Sequence, residues 1–234
     1  MWNGNIVEIF TIVLAWITVG IIANRLYKNK LMKPELWKMI VVILIGLFSF
    51  SFHFTVFGTF LKISILPLGV WVMYGFLNRN KEQWEKYQPF AWLGFFANYI
   101  ILASTLIAIP INYLLYSEDE LATYMSHVEN AFIITIHPSG QERSFSHENF
   151  QRQLNSMSQE MIYSDEWYNE TYMNAEPNRR NERFPYMLVN TSPKWGSGLQ
   201  TSIYVEGDGK GLLISTPKKD IYFRSEDSLL GEAK

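Results

Sequence analysis

Three ionisable side chains stand inside or beside long apolar runs: Glu8, His53 and Lys62. A carboxylate, an imidazole and an amine are the groups from which a proton relay or an ion site in a membrane is assembled, because charge within hydrocarbon is costly and is kept mainly for function. All three fall near the proposed outer ends of their apolar runs. The competing reading is therefore interfacial anchoring, in which Lys62 snorkels to water or pairs with Glu8.

A second concentration of chemistry is "YSDEWYNETYMNAEPNRRNERFP", residues 163–185. Tyr163, Trp167, Tyr168 and Tyr172 lie among Asp165, Glu166 and Glu170, and the stretch then turns basic at Arg179, Arg180 and Arg183. Aromatic rings beside polar groups suit a protein partner or a glycan, since they offer large contact area with little entropy to lose. The plainer alternative is a long loop whose rings cover one edge of a domain core.

Catalytic signatures are missing. The chain has no G-x-x-x-x-G-K-[ST], G-x-S-x-G, H-E-x-x-H or EF-hand pattern, which argues against the common phosphate, nucleophile-elbow, zinc and calcium chemistries. His53, His127, His137 and His147 form no ligand pair at metal spacing, and with no cysteine there is no thiolate site or disulfide. No metal and no cofactor are expected, and an enzyme is the less favoured class. Two N-x-[ST] triplets, at Asn169 and Asn190, receive no role.

The elements that carry these residues follow from charge and hydropathy. Residues 1–116 hold nine basic and four acidic side chains, a net +5, whereas residues 117–234 hold eleven and eighteen, a net −7. Two solvents have shaped the two halves. The acidic half opposes phosphate binding, so nucleic acid is an unsuited partner.

Four apolar segments approach the roughly 20 residues that a bilayer-crossing helix needs: 6–23, 36–57, 60–77 and 90–116. A tight turn at Gly58 and Thr59 separates the second from the third. The first is no secretory signal, because its basic cluster follows the apolar run instead of preceding it. The links holding Arg25, Lys28, Lys30, Lys33 and Lys38, and Arg79, Lys81 and Lys86, should stay in the cytoplasm. Four spans then leave the N-terminus and the C-terminal domain outside the cell membrane. Trp37, Trp84 and Trp92 near one boundary, and Trp2, Tyr113 and Tyr116 near the other, agree. A re-entrant third segment, which would bring the last domain inside, stays open.

After the spans, Ser117 and Glu120 have capping-box spacing, and Leu121, Tyr124, Met125 and Val128 recur at helical spacing, predicting a juxtamembrane amphipathic helix over 117–130. "AFIITI" (131–136) reads as a strand. Ser146 is an N-cap for a helix of about four turns bearing Phe150, Leu154, Met157 and Met161 on one stripe. Strands follow at 186–190, 201–205, 211–215 and 221–223, with Asp208 and Gly209 marking a hairpin.

The expected fold is thus a membrane protein with a four-helix transmembrane bundle in residues 1–116 and a small α+β extracytoplasmic domain in 131–234, one main helix packed on an antiparallel sheet. The strand, the helix, "PYMLVN", the "TSIYV" to "GLLIS" hairpin and "DIYFRSEDSLL" resemble extracytoplasmic domains of uncharacterised small membrane proteins and lipoproteins of Gram-positive bacteria, over residues 131–230. That resemblance implies an envelope location and no active-site residues. The cytoplasmic links are too short to bury a core, so output must pass through a membrane or envelope protein partner in the same lipid bilayer. The expected function is a non-enzymatic multi-pass protein whose outer module binds a ligand or partner, in a sensor, accessory or immunity-type role. A small membrane enzyme or transporter built on Glu8, His53 and Lys62 is the second class.

Overall fold

The computed structural model describes residues 4–56, 59–153, 156–162 and 182–233. The chain divides into two compact units, one of residues 6–112 and one of residues 1–5 with 113–234.

In the first unit, α1 (Ile6–Lys28) and α4 (Lys81–Leu115) are the two helices long and apolar enough to cross a membrane. Helix α1 buries a narrow stripe of modest side chains, Val7, Thr11, Ala15, Val19 and Ala23. Its bulky Phe10, Leu14, Trp16, Ile17 and Ile21 are left exposed. Burying the small residues and exposing the large ones is the arrangement expected where lipid is the solvent and helices gain by close backbone approach.

The expected second and third spans are not continuous helices. Residues 36–57 form α2 (Leu36–Gly46) followed by strand β1 (Phe50–Val56), and residues 60–77 contain most of β2 (Thr59–Leu66) followed by α3 (Leu68–Leu77). The strands pair antiparallel from Phe50 opposite Leu66 to Val56 opposite Thr59. The reason is legible in "FSFHFT" and "LKISI", where apolar and polar residues alternate with period two, a pattern a helix would scatter over all its faces. Four helical spans are therefore replaced by two long helices and a helix–hairpin–helix insertion. Gly58, where a turn is expected, lies outside the described residues, and Thr59 opens β2.

Backbones in this unit meet at glycine. A Cβ on Gly46 would strike the Ala91 carbonyl, one on Gly94 the Ile43 carbonyl, and one on Gly69 the Ile45 carbonyl. These three positions bring α2, α3 and α4 into backbone contact. Where α2 ends, the Asn98 amide donates to the Leu47 carbonyl at 3.1 Å, and the Tyr99 hydroxyl donates to the carbonyl of Ser64.

In the second unit, a six-stranded antiparallel sheet runs in the order β3-β6-β7-β8-β9-β5, with β3 Phe132–Thr135, β5 Ser158–Glu160, β6 Tyr186–Val189, β7 Ser202–Val205, β8 Gly211–Ser215 and β9 Asp220–Arg224. A separate pair joins β4 (Arg143–Phe145) to β10 (Leu230–Ala233). Period-two alternation puts Leu188, Ile203, Ile214 and Ile221 in one register row, and Tyr186, Val205, Leu212 and Phe223 in the next, all buried. Phe150 packs into this core from α6 (His147–Gln153), with its ring centroid 5.6 Å from that of Phe145.

Two helices differ from expectation here. The juxtamembrane helix over 117–130 reduces to the single turn α5 (Leu121–Tyr124), and its N-cap residue Glu120 makes no side-chain capping bond. Leu121, Tyr124 and Met125 are spent on the core of the module instead. The four-turn helix after Ser146 lasts seven residues. Ser146 does cap it, its hydroxyl accepting from the Asn149 amide at 3.3 Å, but by Ser158 the chain has become edge strand β5. Met157 is core as expected, while Met161 is 78% exposed. Pairing with β9 outcompetes a helix stripe that these residues only partly satisfy.

Candidate functional site

The alternation that fills the core aims the other side chains at the opposite face. Met187, Tyr204, Leu213, Tyr222 and Glu160 form one register row across five strands. Along it lies a cleft of about 760 Å³, within the range of pockets that hold organic ligands. Its apolar lining includes Ile136, Met161, Ile162 and Leu213, and its aromatic lining Phe184, Tyr204 and Tyr222. Its polar lining is acidic: Glu160 on β5, Glu182 ahead of β6 and Asp220 at the start of β9, with His137 after β3 and Gln159. No lysine or arginine among the described residues lines it. Among the described residues, none of the three carboxylates forms an ion pair.

One wall of the cleft is held rigid by a charged network. Glu206, 12% exposed at its side chain, accepts from Arg183 Nε at 2.7 Å and from Arg224 Nη1 at 2.6 Å. The Tyr222 hydroxyl donates to the same carboxylate, and Arg224 Nη2 meets Asp208 at 2.7 Å. Two guanidiniums and two carboxylates cancel, so the network adds no net charge to its surroundings. The β7–β8 hairpin builds it: Gly209 takes the turn at φ +76°, and Gly211, opposite Arg224, leaves the space in which Glu206 and the Tyr222 hydroxyl meet.

Burial raises the Tyr222 pKa, and the Glu206 carboxylate raises it further. Burial by itself would lower the Arg183 pKa, but the bond to and charge of Glu206, together with Tyr222, outweigh it and the net shift is upward. The bond to Tyr222 raises that of Arg224. Each group keeps the protonation the network requires. The Arg183 guanidinium also stacks 5.4 Å from the ring centroids of both Phe184 and Tyr222.

Of the site residues expected from sequence, Tyr163, Trp167, Tyr168, Tyr172, Arg179 and Arg180 lie outside the described residues. In the membrane unit, His53 and Lys62 are register partners on the β1–β2 hairpin, both exposed. Glu8 belongs to a different element, the first turn of α1. No group of three or more metal-ligating side chains occurs among the described residues.

Sequence reasoning missed the cleft. Its three carboxylates come from separate strands and its rings from alternate strand positions, so no contiguous motif marks it. The available signal was the outward parity of Tyr204, Leu213 and Tyr222 in strands whose inward residues were already legible. No protein-family model, no curated protein and no solved structure matches this chain.

Proposed function

We propose that this chain is a non-enzymatic, multi-pass protein of the cell membrane of a Gram-positive bacterium. Its C-terminal module lies outside the cell and binds a ligand or protein partner in a sensor, accessory or immunity-type role. The observation that carries this reading is the open aromatic and acidic cleft on the sheet face turned away from the core. A face meant only for solvent would not gather three rings and four large apolar side chains beside three carboxylates that form no ion pair among the described residues. The basic links after α1 and before α4 support the orientation. So does Asn5, just before α1, whose amide donates to the Ser197 carbonyl within the same compact unit at 3.3 Å, as an N-terminus on the module's side would allow.

The chain has no cysteine, which makes the orientation directly testable. Glu226→Cys should react with a membrane-impermeant maleimide on intact cells, and Lys81→Cys only after permeabilisation; the reverse would place the module inside. For function, a photo-crosslinking residue at Tyr204 should give a discrete adduct in living cells, while Glu8→Ala and His53→Ala leave that adduct intact. The pairing of His53 with Lys62 favours the second class, a small membrane enzyme or transporter. Loss of cellular function in His53→Ala, with no adduct at Tyr204, would select it.

A further inference from the structure

The lining of the cleft narrows what it can accept, and the narrowing rests on the binding reading above. Among the described residues three carboxylates face it and no lysine or arginine does, and the adjoining Arg183 and Arg224 are already neutralised by Glu206 and Asp208. Lys219, next to Asp220, is engaged with Glu118. An anionic ligand would meet uncompensated like charge, while a cation would find partners at separated points on three different segments. The rings point the same way, because aromatic faces attract cations. Arg183 shows this within the module by lying over Phe184 and Tyr222. Tyr204 carries no such cation among the described contacts.

Size and topology then separate a peptide from a small amine. About 760 Å³ is far more than one ammonium group fills, and the carboxylates span the face from the segment before β6 to β5. Among the described residues, strand β5 is the last in its sheet and pairs only with β9, which leaves its other edge without a strand partner and suited to an extended chain. Peptides recognised along sheet edges use main-chain hydrogen bonds for affinity and side-chain pockets for specificity. We infer that the cleft binds an extended basic and apolar peptide segment, whose lysine or arginine side chains meet Glu160, Glu182 and Asp220 while its apolar side chains rest on Leu213, Met161 and Tyr204.

The test uses the full chain in nanodiscs of zwitterionic lipid and three short dansyl-labelled peptides that alternate leucine with lysine, serine or glutamate. The lysine peptide should bind saturably and at least about tenfold more tightly than the glutamate peptide, with affinity falling as salt rises. The combined Glu160→Gln, Glu182→Gln and Asp220→Asn variant should lose about tenfold, as three partly screened ion pairs would supply. These carboxylates carry no core contact, and an unchanged thermal midpoint verifies the fold.

Equal binding of all three peptides, or lysine-peptide affinity indifferent to the triple variant, overturns the inference. Preference for the serine or glutamate peptide overturns it too, yet leaves the module a binding module. Absence of any binding overturns it as well, and the Tyr204 adduct in cells then judges the broader reading on its own. Displacement of the lysine peptide by a synthetic copy of residues 163–181 would give the cleft to the chain itself.

Discussion

Two antiparallel hairpins of this chain obey the same alternation and bury different things. In β7–β8, Ile203, Val205, Leu212 and Ile214 are fully or almost fully buried. In β1–β2, Phe52, Phe60 and Ile65 are exposed, Phe60 by 80%, while Ser64 is 1% exposed. The Ser64 hydroxyl is held by those of Ser49 at 2.9 Å and Ser51 at 3.3 Å. The first hairpin hides its apolar residues, whereas the second leaves most of its apolar residues exposed and buries Leu61 and Ser64. Exposed rings around a buried hydroxyl are what apolar surroundings would favour, and the pattern of a strand cannot be read without knowing its solvent.

Mutation can break this contrast. Phe223→Ala empties the centre of the water-soluble core and should cost about 3–5 kcal/mol, read as a lower thermal or urea midpoint of the module's near-ultraviolet signal. Phe52→Ala, the matching truncation in β1, should cost less than about 1 kcal/mol in a bilayer, where lipid replaces the lost contacts. Equal penalties would mean that both hairpins answer to water.

Glu206→Ala comes next. It strands two guanidiniums against a nearly buried position and should cost about 3 kcal/mol by the same measurement. Ser64→Ala in the membrane unit should cost only about 0.5–1 kcal/mol, because hydrogen bonds inside membranes are worth little more than in water. Protease resistance of the membrane unit in nanodiscs reports it.

The smallest effect is a pH dependence confined to the module. Burial raises the Tyr124 pKa, helped by Glu118 and Asp119, and Tyr222 is likewise raised. A raised folded-state pKa favours the neutral phenol. The associated stability is complete below the ordinary tyrosine value of about 10 and is lost as pH rises beyond it. The midpoint of the module should therefore fall above about pH 10, and Tyr124→Phe with Tyr222→Phe should flatten the decline.

How much of this was legible follows from the same contrast. Strands β6 to β9 were readable because their alternation had water on one side and because Asp208–Gly209 announces a turn. The helices α1 and α4 were readable from unbroken apolar length. The β1–β2 hairpin was not recovered, because total hydropathy over residues 36–77 outweighed the period-two signal in "FSFHFT". Tyr124 and Met125 satisfied a helical spacing yet went to the core, since tertiary burial is worth more than one extra turn. At the site, Glu160, Glu182 and Asp220 are remote in sequence, and only the register of β5, β6 and β9 relates them. The Glu206 network hides within "EGDGKG", where the glycines were visible as a turn but their clearance for a carboxylate was not.

The pairing of Phe50 with Leu66 has a consequence for bookkeeping of membrane crossings. The Gly69 amide also bonds the Phe48 carbonyl at 2.7 Å, so the insertion departs and returns at neighbouring points. It thus contributes an even count whether it pierces the bilayer completely or only dips into one leaflet. If α1 and α4 each cross once, the sidedness of the C-terminal half is insensitive to the depth of everything between them.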